Sequence, residues 1–181
     1  MTKIPLHFKS ISQIVGSEKL GLLILVDTNE QWQLAIPCDE AMLQQFELRV
    51  SRVPVKNLML PEVLWQVISS QTDLRFEILI TDLIEEQYRA ILYNTDTLEP
   101  VAIRASDGVL LSFIASIPLF IEEKLMQRQS VPYQRSSSGV AMPLNAISNK
   151  MLKEALDNAV ANENYELASH LRDEMRRRKL L

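Results

Sequence analysis

The sequence predicts an α+β protein with a mixed or antiparallel sheet packed against helices, followed by a C-terminal antiparallel helical hairpin. Several short segments alternate apolar and polar residues with the two-residue period of strands. Segments with a helical period lie between these strands, but the two kinds of segment do not alternate regularly as they do in a parallel α/β sheet. Near the C-terminus, two amphipathic segments are separated by Ala161-Asn-Glu-Asn, which is typical of a helical turn.

The composition is that of a globular chain. The 181 residues are 47% hydrophobic and 23% charged, with a net charge of −4. The four glycines exclude a collagen-like chain, and the apolar content excludes a disordered one. One cysteine, Cys38, excludes a disulfide framework or a cysteine-rich zinc site, and we interpret it as a small buried residue rather than a nucleophile.

Charge divides the chain into three predicted parts. Residues 1–127 contain 10 basic and 17 acidic residues, and they form the first domain. Residues 128–147 contain two arginines, no acid and turn-forming residues such as Ser136-Ser-Ser-Gly, which predicts a linker. Residues 148–181 form the hairpin. The longest nearly apolar stretch, residues 109–121, is too short to span a bilayer, so we expect a cytoplasmic protein without membrane contact.

The predicted sheet begins with a hairpin of residues 20–27 and 32–36. Pro37 is expected to end the second strand and residues 38–48 to be helical. Later strands are predicted at residues 74–81, 87–93, 99–104 and 119–121.

Two helices are expected to pack on this sheet. The first begins at Leu60, and its apolar stripe predicts that Leu64 and Val67 are buried. The second is capped by Ser106, has Asp107 in its first turn, and is stopped by Pro118. Its predicted buried face comprises Leu110, Phe113, Ile114 and Ile117.

The C-terminal hairpin has an apolar stripe on each helix, and Asn164 is placed to cap the second. Because two short helices bury too little surface to be stable alone, we expect the pair to dock on a protein or on a second copy of the chain. A fold-back onto the first domain is the alternative. The predicted partner contacts are Leu156, Val160, Tyr165, Leu167 and Leu171.

Residues 148–181 resemble the UVR motif, the helical hairpin of the excision-repair proteins UvrB and UvrC. The resemblance is carried by Glu163-Asn-Tyr-Glu-Leu-Ala and Leu171-Arg-Asp-Glu-Met. It implies a protein-docking element.

Residues 20–127 resemble the bifunctional nuclease domain of bacteria and plants. The most distinctive match is Arg104-x-Ser106-Asp107, supported by Ile78-Leu-Ile-Thr-Asp-Leu and Ile117-Pro-Leu-Phe-Ile. This resemblance implies hydrolysis of DNA or RNA phosphodiesters.

The resemblance also implies the site residues. Glu40, Arg104 and Asp107 would be catalytic, and Ser106 and Glu62 would contact substrate. Carboxylates activate water through a metal such as Mg²⁺ or as a general base, and arginine stabilises phosphate charge. The sequence does not decide between a metal cofactor and a metal-free site. A structural interpretation makes Ser106 a helix cap, Asp107 a dipole partner and Arg104 its ion-pair partner.

The competing function is a non-catalytic adaptor with a degenerate nuclease-like domain. Where the family has an Asp two positions before the arginine, this chain has Ala102, and the family's His before the central helix is missing at Leu60-Pro61-Glu62. Nucleic-acid backbones are bound by clustered lysine and arginine, but the first domain is acidic. The basic cluster at residues 176–179 is expected instead to interact favourably with the dipole at the C-terminal end of the last helix.

Overall fold

The computed structural model describes residues 2–14, 17–51, 58–133 and 148–180; the side chains of residues 13, 14 and 17–20 are not described. The strands are β1 Lys3–Ile14, β2 Ser17–Asp27, β3 Trp32–Asp39, β4 Phe76–Ile84, β5 Gln87–Asn94, β6 Pro100–Arg104, β7 Leu119–Glu122 and β8 Val131–Pro132. The helices are α1 Glu40–Val50, α2 Leu60–Gln71, α3 Ala105–Ala115, α4 Glu123–Gln129, α5 Asn149–Ala161 and α6 Tyr165–Arg177.

The strands form one mixed sheet in the order β6-β5-β4-β7-β1-β2-β3-β8. The β4–β7 pair is parallel, and the other neighbours are antiparallel. The core contains aliphatic side chains from β2, β3, β4 and β7 with the Phe46 side chain of α1. The predicted α+β class with a mixed sheet and a C-terminal helical pair is confirmed. The helices in the described part of the chain are all too short or too polar to cross a bilayer.

The sheet is curled, as shown by the close approach of two strands that lie far apart in the strand order. Arg104 ends β6 at one edge, and Asp39 ends β3 next to the opposite edge. Their side chains nevertheless lie within an ion-pair distance of 3.4 Å. This curl brings the ends of β3 and β6 to one place, and the candidate site lies there.

Three predicted boundaries change. Strand β3 continues through Pro37 to Asp39, pairing Pro37 with Leu22. A proline is tolerated there because β8 pairs only with Trp32 and Gln33, so among the described residues β3 has one neighbour at Pro37. Helix α1 begins after Asp39, whose carboxylate caps it, rather than at residue 38. Within the predicted linker, Val131–Pro132 is a strand, and residues 134–147 lie outside the described residues.

The predicted burial of Leu64 and Val67 is wrong. Leu64 is 52% exposed, and no residue of α2 is buried. Helix α2 instead contacts the domain through Glu62, which pairs with Arg49 of α1, and through Trp65, whose ring packs edge-on to Phe76. The aliphatic stripe therefore faces away from the core.

The predicted burial of Phe113 is also wrong, although the ring is not isolated. It is 40% exposed and packs against the rings of Phe8 and Phe46, with centroid distances of 5.3 and 5.8 Å. The buried residues of α3 are Ala105, Gly108, Val109 and Leu110, one turn nearer the start of the helix. Ser106 is not the cap either, because Arg104 occupies the N-cap position without a side-chain cap bond.

Candidate active site

A cleft of about 540 Å³ opens where β3, β5 and β6 meet the start of α3. Its walls include Cys38 and Asp39 from β3, Arg89 from β5, and Arg104 and Ser106 from the β6–α3 junction. Ser148 and Met151, at the start of α5, complete the lining. The cleft is therefore bounded by both the sheet domain and the C-terminal hairpin.

Arg104 is the central charged group of this cleft. Its Nε donates to Asp107 Oδ2 at 2.5 Å, and its Nη2 donates to Asp107 Oδ1 at 3.1 Å. Its Nη1 lies 3.4 Å from Asp39 Oδ2. The hydrogen bond and the charge of Asp107, followed by Asp39, raise the pKa of Arg104, which stays cationic. Because the side chain is 65% exposed, an incoming anion can reach the guanidinium.

Asp39 is the site residue that sequence reasoning missed. Its Oδ1 accepts a hydrogen bond from the Met42 backbone N–H at 2.9 Å, which caps α1, while its Oδ2 faces Arg104. An aspartate directly before a helical segment is a recognisable N-cap signal. That signal would have placed the start of α1 correctly, but the approach to Arg104 depends on the curl of the sheet.

The structure brings three of the predicted residues together and separates two. Arg104, Ser106 and Asp107 lie within one helical turn at the start of α3. Glu40 is exposed in the first turn of α1, where its Oε1 accepts a hydrogen bond from Gln44 Nε2 at 3.3 Å, and it is not among the residues that line the cleft.

Glu62 lies in a different environment. Arg49 donates to it through Nε at 2.6 Å and Nη2 at 2.9 Å. The Arg49 side chain is 2% exposed, and its Nη1 also donates to the backbone oxygen and Oε1 of Gln45. Glu62 therefore neutralises a buried arginine between α1 and α2 and does not line the cleft.

Two further wall residues are held neutral by their surroundings. Burial raises the pKa of the Cys38 thiol to about 12, with a contribution from the charge of Asp39. Cys38 is buried, as the sequence predicted. Burial also raises the pKa of Tyr88, whose hydroxyl has no hydrogen-bond partner among the described residues. Neither group is ionised near neutral pH, so neither supplies a nucleophile or a base.

The acidic residues do not form a metal-binding cluster. No group of three His, Cys, Asp or Glu side chains with suitable spacing occurs within residues 2–14, 17–51, 58–133 and 148–180. Two carboxylates line the cleft: Asp39, which faces the Arg104 guanidinium together with Asp107, and Glu86, which is paired with Arg178. This donor set does not fit Mg²⁺, which requires several oxygen ligands without a competing cation.

The C-terminal hairpin has its own small core of Leu152, Ala159, Ala168, Leu171 and Met175. Asn164 caps α6 by accepting from the Leu167 backbone N–H at 3.2 Å, as predicted. Of the five predicted partner contacts, Leu171 lies in this core, Leu156 is half-buried, and Val160, Tyr165 and Leu167 are exposed. An open groove of about 410 Å³ is lined by Leu156, Val160 and Tyr165 with Asp157 and Arg172 at its sides.

The basic C-terminal residues are paired with acids. Arg176 contacts Asp173, while Arg177 and Arg178 both contact Glu174. Burial alone would raise the pKa of Glu174, but the hydrogen bonds from Arg178 and Arg177 outweigh it and lower that pKa. Each of these arginines therefore lies beside a carboxylate of helix α6.

Two known protein families match parts of this chain. The bifunctional nuclease domain matches residues 23–134, and the UvrB/UvrC motif matches residues 150–179. The chain belongs to the bifunctional nuclease domain family and carries a UvrB/UvrC motif at its C-terminal end. No curated protein matches the sequence.

Proposed function

We propose that the chain hydrolyses phosphodiester bonds of DNA or RNA at the Arg104 cleft. The observation that supports this most directly is an exposed guanidinium held at the cleft by Asp107, in a member of a nuclease family. Electrostatic stabilisation of developing phosphate charge is the main requirement for such a reaction.

In this proposal Asp107 is a positioning residue. Its two hydrogen bonds fix the plane of the guanidinium, so that Nη1 is left to the longer contact with Asp39. A phosphodiester anion replaces Asp39 at Nη1. The released Asp39 carboxylate then accepts a proton from the water whose oxygen bonds to phosphorus. As the bond from phosphorus to the leaving oxygen breaks, that oxygen takes a proton from solvent, and Asp39 afterwards returns its own proton to solvent. Ser106 contacts the substrate from the first turn of α3.

The test compares Arg104→Met with Arg75→Met on single-stranded DNA and RNA oligonucleotides, with Mg²⁺ and with a chelator. Arg75 is a matched control because it is also an exposed arginine in an ion pair, with Asp96 at 2.9 Å. We expect Arg104→Met to lose cleavage by about a hundredfold and Arg75→Met to keep it. Equal cleavage by wild type and Arg104→Met would refute the assignment.

The second candidate is an adaptor that recruits a protein through the hairpin. It is favoured by the exposed Val160, Tyr165 and Leu167 side chains and by the UvrB/UvrC motif. On this function a second copy is the first partner to test, and size-exclusion chromatography with light scattering measures it. Tyr165→Ala with Val160→Asp should reduce association, whereas Leu98→Asp, an apolar-to-acidic change on an exposed side chain of the sheet domain, should not.

A further inference from the structure

Glu86 joins the sheet domain to both ends of the C-terminal hairpin. One carboxylate oxygen, Oε2, accepts a hydrogen bond from the Asn149 backbone N–H at 2.8 Å, at the start of α5. The other, Oε1, accepts from Arg178 Nη1 at 2.7 Å, just beyond the end of α6. Arg178 also donates to Asn149 Oδ1 at 3.1 Å and to Glu174 Oε1 at 2.8 Å. One side chain thus anchors two helix ends.

The backbone at Glu86 has a positive φ angle, a conformation that glutamate rarely adopts. Glu85 and Glu86 connect β4 to β5 as a two-residue turn, with φ angles of 49° and 64°. Turns with two positive φ angles favour Asn and Gly, whereas glutamate is disfavoured there. Local strain of this kind is a reason to examine what the residue does.

The contact holds the start of α5 at the cleft described above. Met151 is buried, yet it does not belong to the core of the hairpin. It lines the cleft together with Ser148. With the hairpin in place, the first turn of α5 therefore forms part of the cleft wall.

We propose that the Glu86 latch, formed by Glu86, Asn149 and Arg178, holds the hairpin as a cover over the cleft, and that its release opens the cleft. The consequence for catalysis rests on the proposed function. The movement of the hairpin away from the cleft does not itself require catalysis. A protein that binds the hairpin and competes for Arg178 would then couple docking to exposure of the site.

Cys38 provides a readout that is independent of activity. It is the only cysteine in the chain and lies buried in the cleft wall, where burial keeps the thiol protonated. We expect iodoacetamide to alkylate it only after the cleft opens, because contact with solvent lets the thiol ionise and admits the reagent. We would measure its alkylation by intact-protein mass spectrometry in wild type, Glu86→Gln and Glu85→Gln. Glu85→Gln is the matched control, since it makes the same charge change one residue earlier on an exposed side chain.

We expect Glu86→Gln to alkylate about tenfold faster than wild type, because the amide has one acceptor oxygen, keeps only one of the two hydrogen bonds and loses the ion pair with Arg178. Glu85→Gln should alkylate at the wild-type rate. The double variant Glu85→Asn with Glu86→Gly excludes damage to the turn. Asn-Gly suits the positive φ angles, so this variant should keep the wild-type melting temperature and still alkylate faster.

Wild-type alkylation rates in both Glu86 variants would overturn the latch. Faster alkylation with no nucleic-acid cleavage by any variant would support the latch and reject the nuclease function. Faster alkylation together with faster cleavage would support both.

Discussion

Arg104 and Asp107 are joined by two parallel hydrogen bonds across one turn of helix, from Nε to Oδ2 and from Nη2 to Oδ1. The pair lies at the N-terminus of α3, where the helix dipole favours the Asp107 carboxylate. This ion pair can stabilise the start of α3, and it can also fix the guanidinium at the cleft. Mutations are therefore needed to separate its effect on stability from its effect on cleavage.

Asp107→Asn should separate them. The amide accepts one hydrogen bond from Arg104 but loses the ion pair. Because both side chains are substantially exposed, we expect a change of about 0–1 kcal/mol in the free energy of unfolding. We expect cleavage to fall at least about tenfold, since the guanidinium is no longer fixed. Urea denaturation and a cleavage assay measure the two effects, and a large loss of stability without loss of cleavage would contradict the proposed role.

Asp39→Asn and Glu40→Gln distinguish the observed cleft carboxylate from the one that the sequence suggested. Asparagine also caps helices, so Asp39→Asn should change the free energy of unfolding by only about 0.5 kcal/mol. Its cleavage rate should fall about a hundredfold if Asp39 is the base. Glu40→Gln should cleave like wild type, because Glu40 does not line the cleft. The reverse pattern would restore Glu40 as the catalytic residue.

Glu62→Ala should destabilise the protein without changing the cleft. It leaves the buried Arg49 guanidinium without its carboxylate, a loss that costs about 3–5 kcal/mol. Glu47→Ala, an exposed change on α1, the helix that carries Arg49, is the control and should have little effect. Chemical denaturation measures both. A stable Glu62→Ala variant with weakened oligonucleotide binding would instead support the substrate contact implied by the resemblance.

Leu64→Ala and Val67→Ala test the exposed face of α2. In an isolated chain each should cost less than about 1 kcal/mol, because little apolar area is lost from the core. Leu34→Ala, at a fully buried position of β3, should cost about 2–5 kcal/mol. Urea denaturation at two protein concentrations checks this. A cost for Leu64→Ala equal to that for Leu34→Ala would mean that another molecule covers α2 in solution.

Glu77 predicts a pH dependence of stability. Hydrogen bonds from Lys3 and then Tyr93 lower the pKa of Glu77 from its ordinary value of 4.5. Below about pH 4.5 the unfolded chain therefore takes up a proton that the folded chain resists, and the free energy of unfolding falls. The contribution is complete above that pH and is lost as the pH falls through the folded-state pKa.

Glu77→Gln should consequently show a smaller loss of stability than wild type between about pH 7 and about pH 3.5, measured by urea denaturation. Glu99→Gln changes the same charge at an exposed position and should keep the wild-type difference. An unchanged pH dependence in Glu77→Gln would show that the contact with Lys3 does not persist in solution.

The local elements of this protein were largely predictable from the sequence. A nearly continuous apolar run located β2, and two-residue alternation located β3, β4 and β5. Helical periods located α2, α3 and the C-terminal hairpin, because these periods reflect local backbone geometry. Arg104-x-Ser106-Asp107 located the charged pair for the same reason, since residues three apart on a helix are neighbours. The family and the C-terminal motif were also recognisable from such short segments.

Only the tertiary structure decided which of these residues meet. An apolar stripe on α2 predicts a buried face, but the buried pair Arg49–Glu62 and the Trp65–Phe76 contact orient that helix with the stripe outward. Asp39 reaches Arg104, 65 residues further along the chain, because the sheet curls. Glu86 reaches Arg178, 92 residues away, because the hairpin folds back onto the cleft. Such contacts depend on how elements pack across long sequence separations, and periodicity within one element carries no information about them.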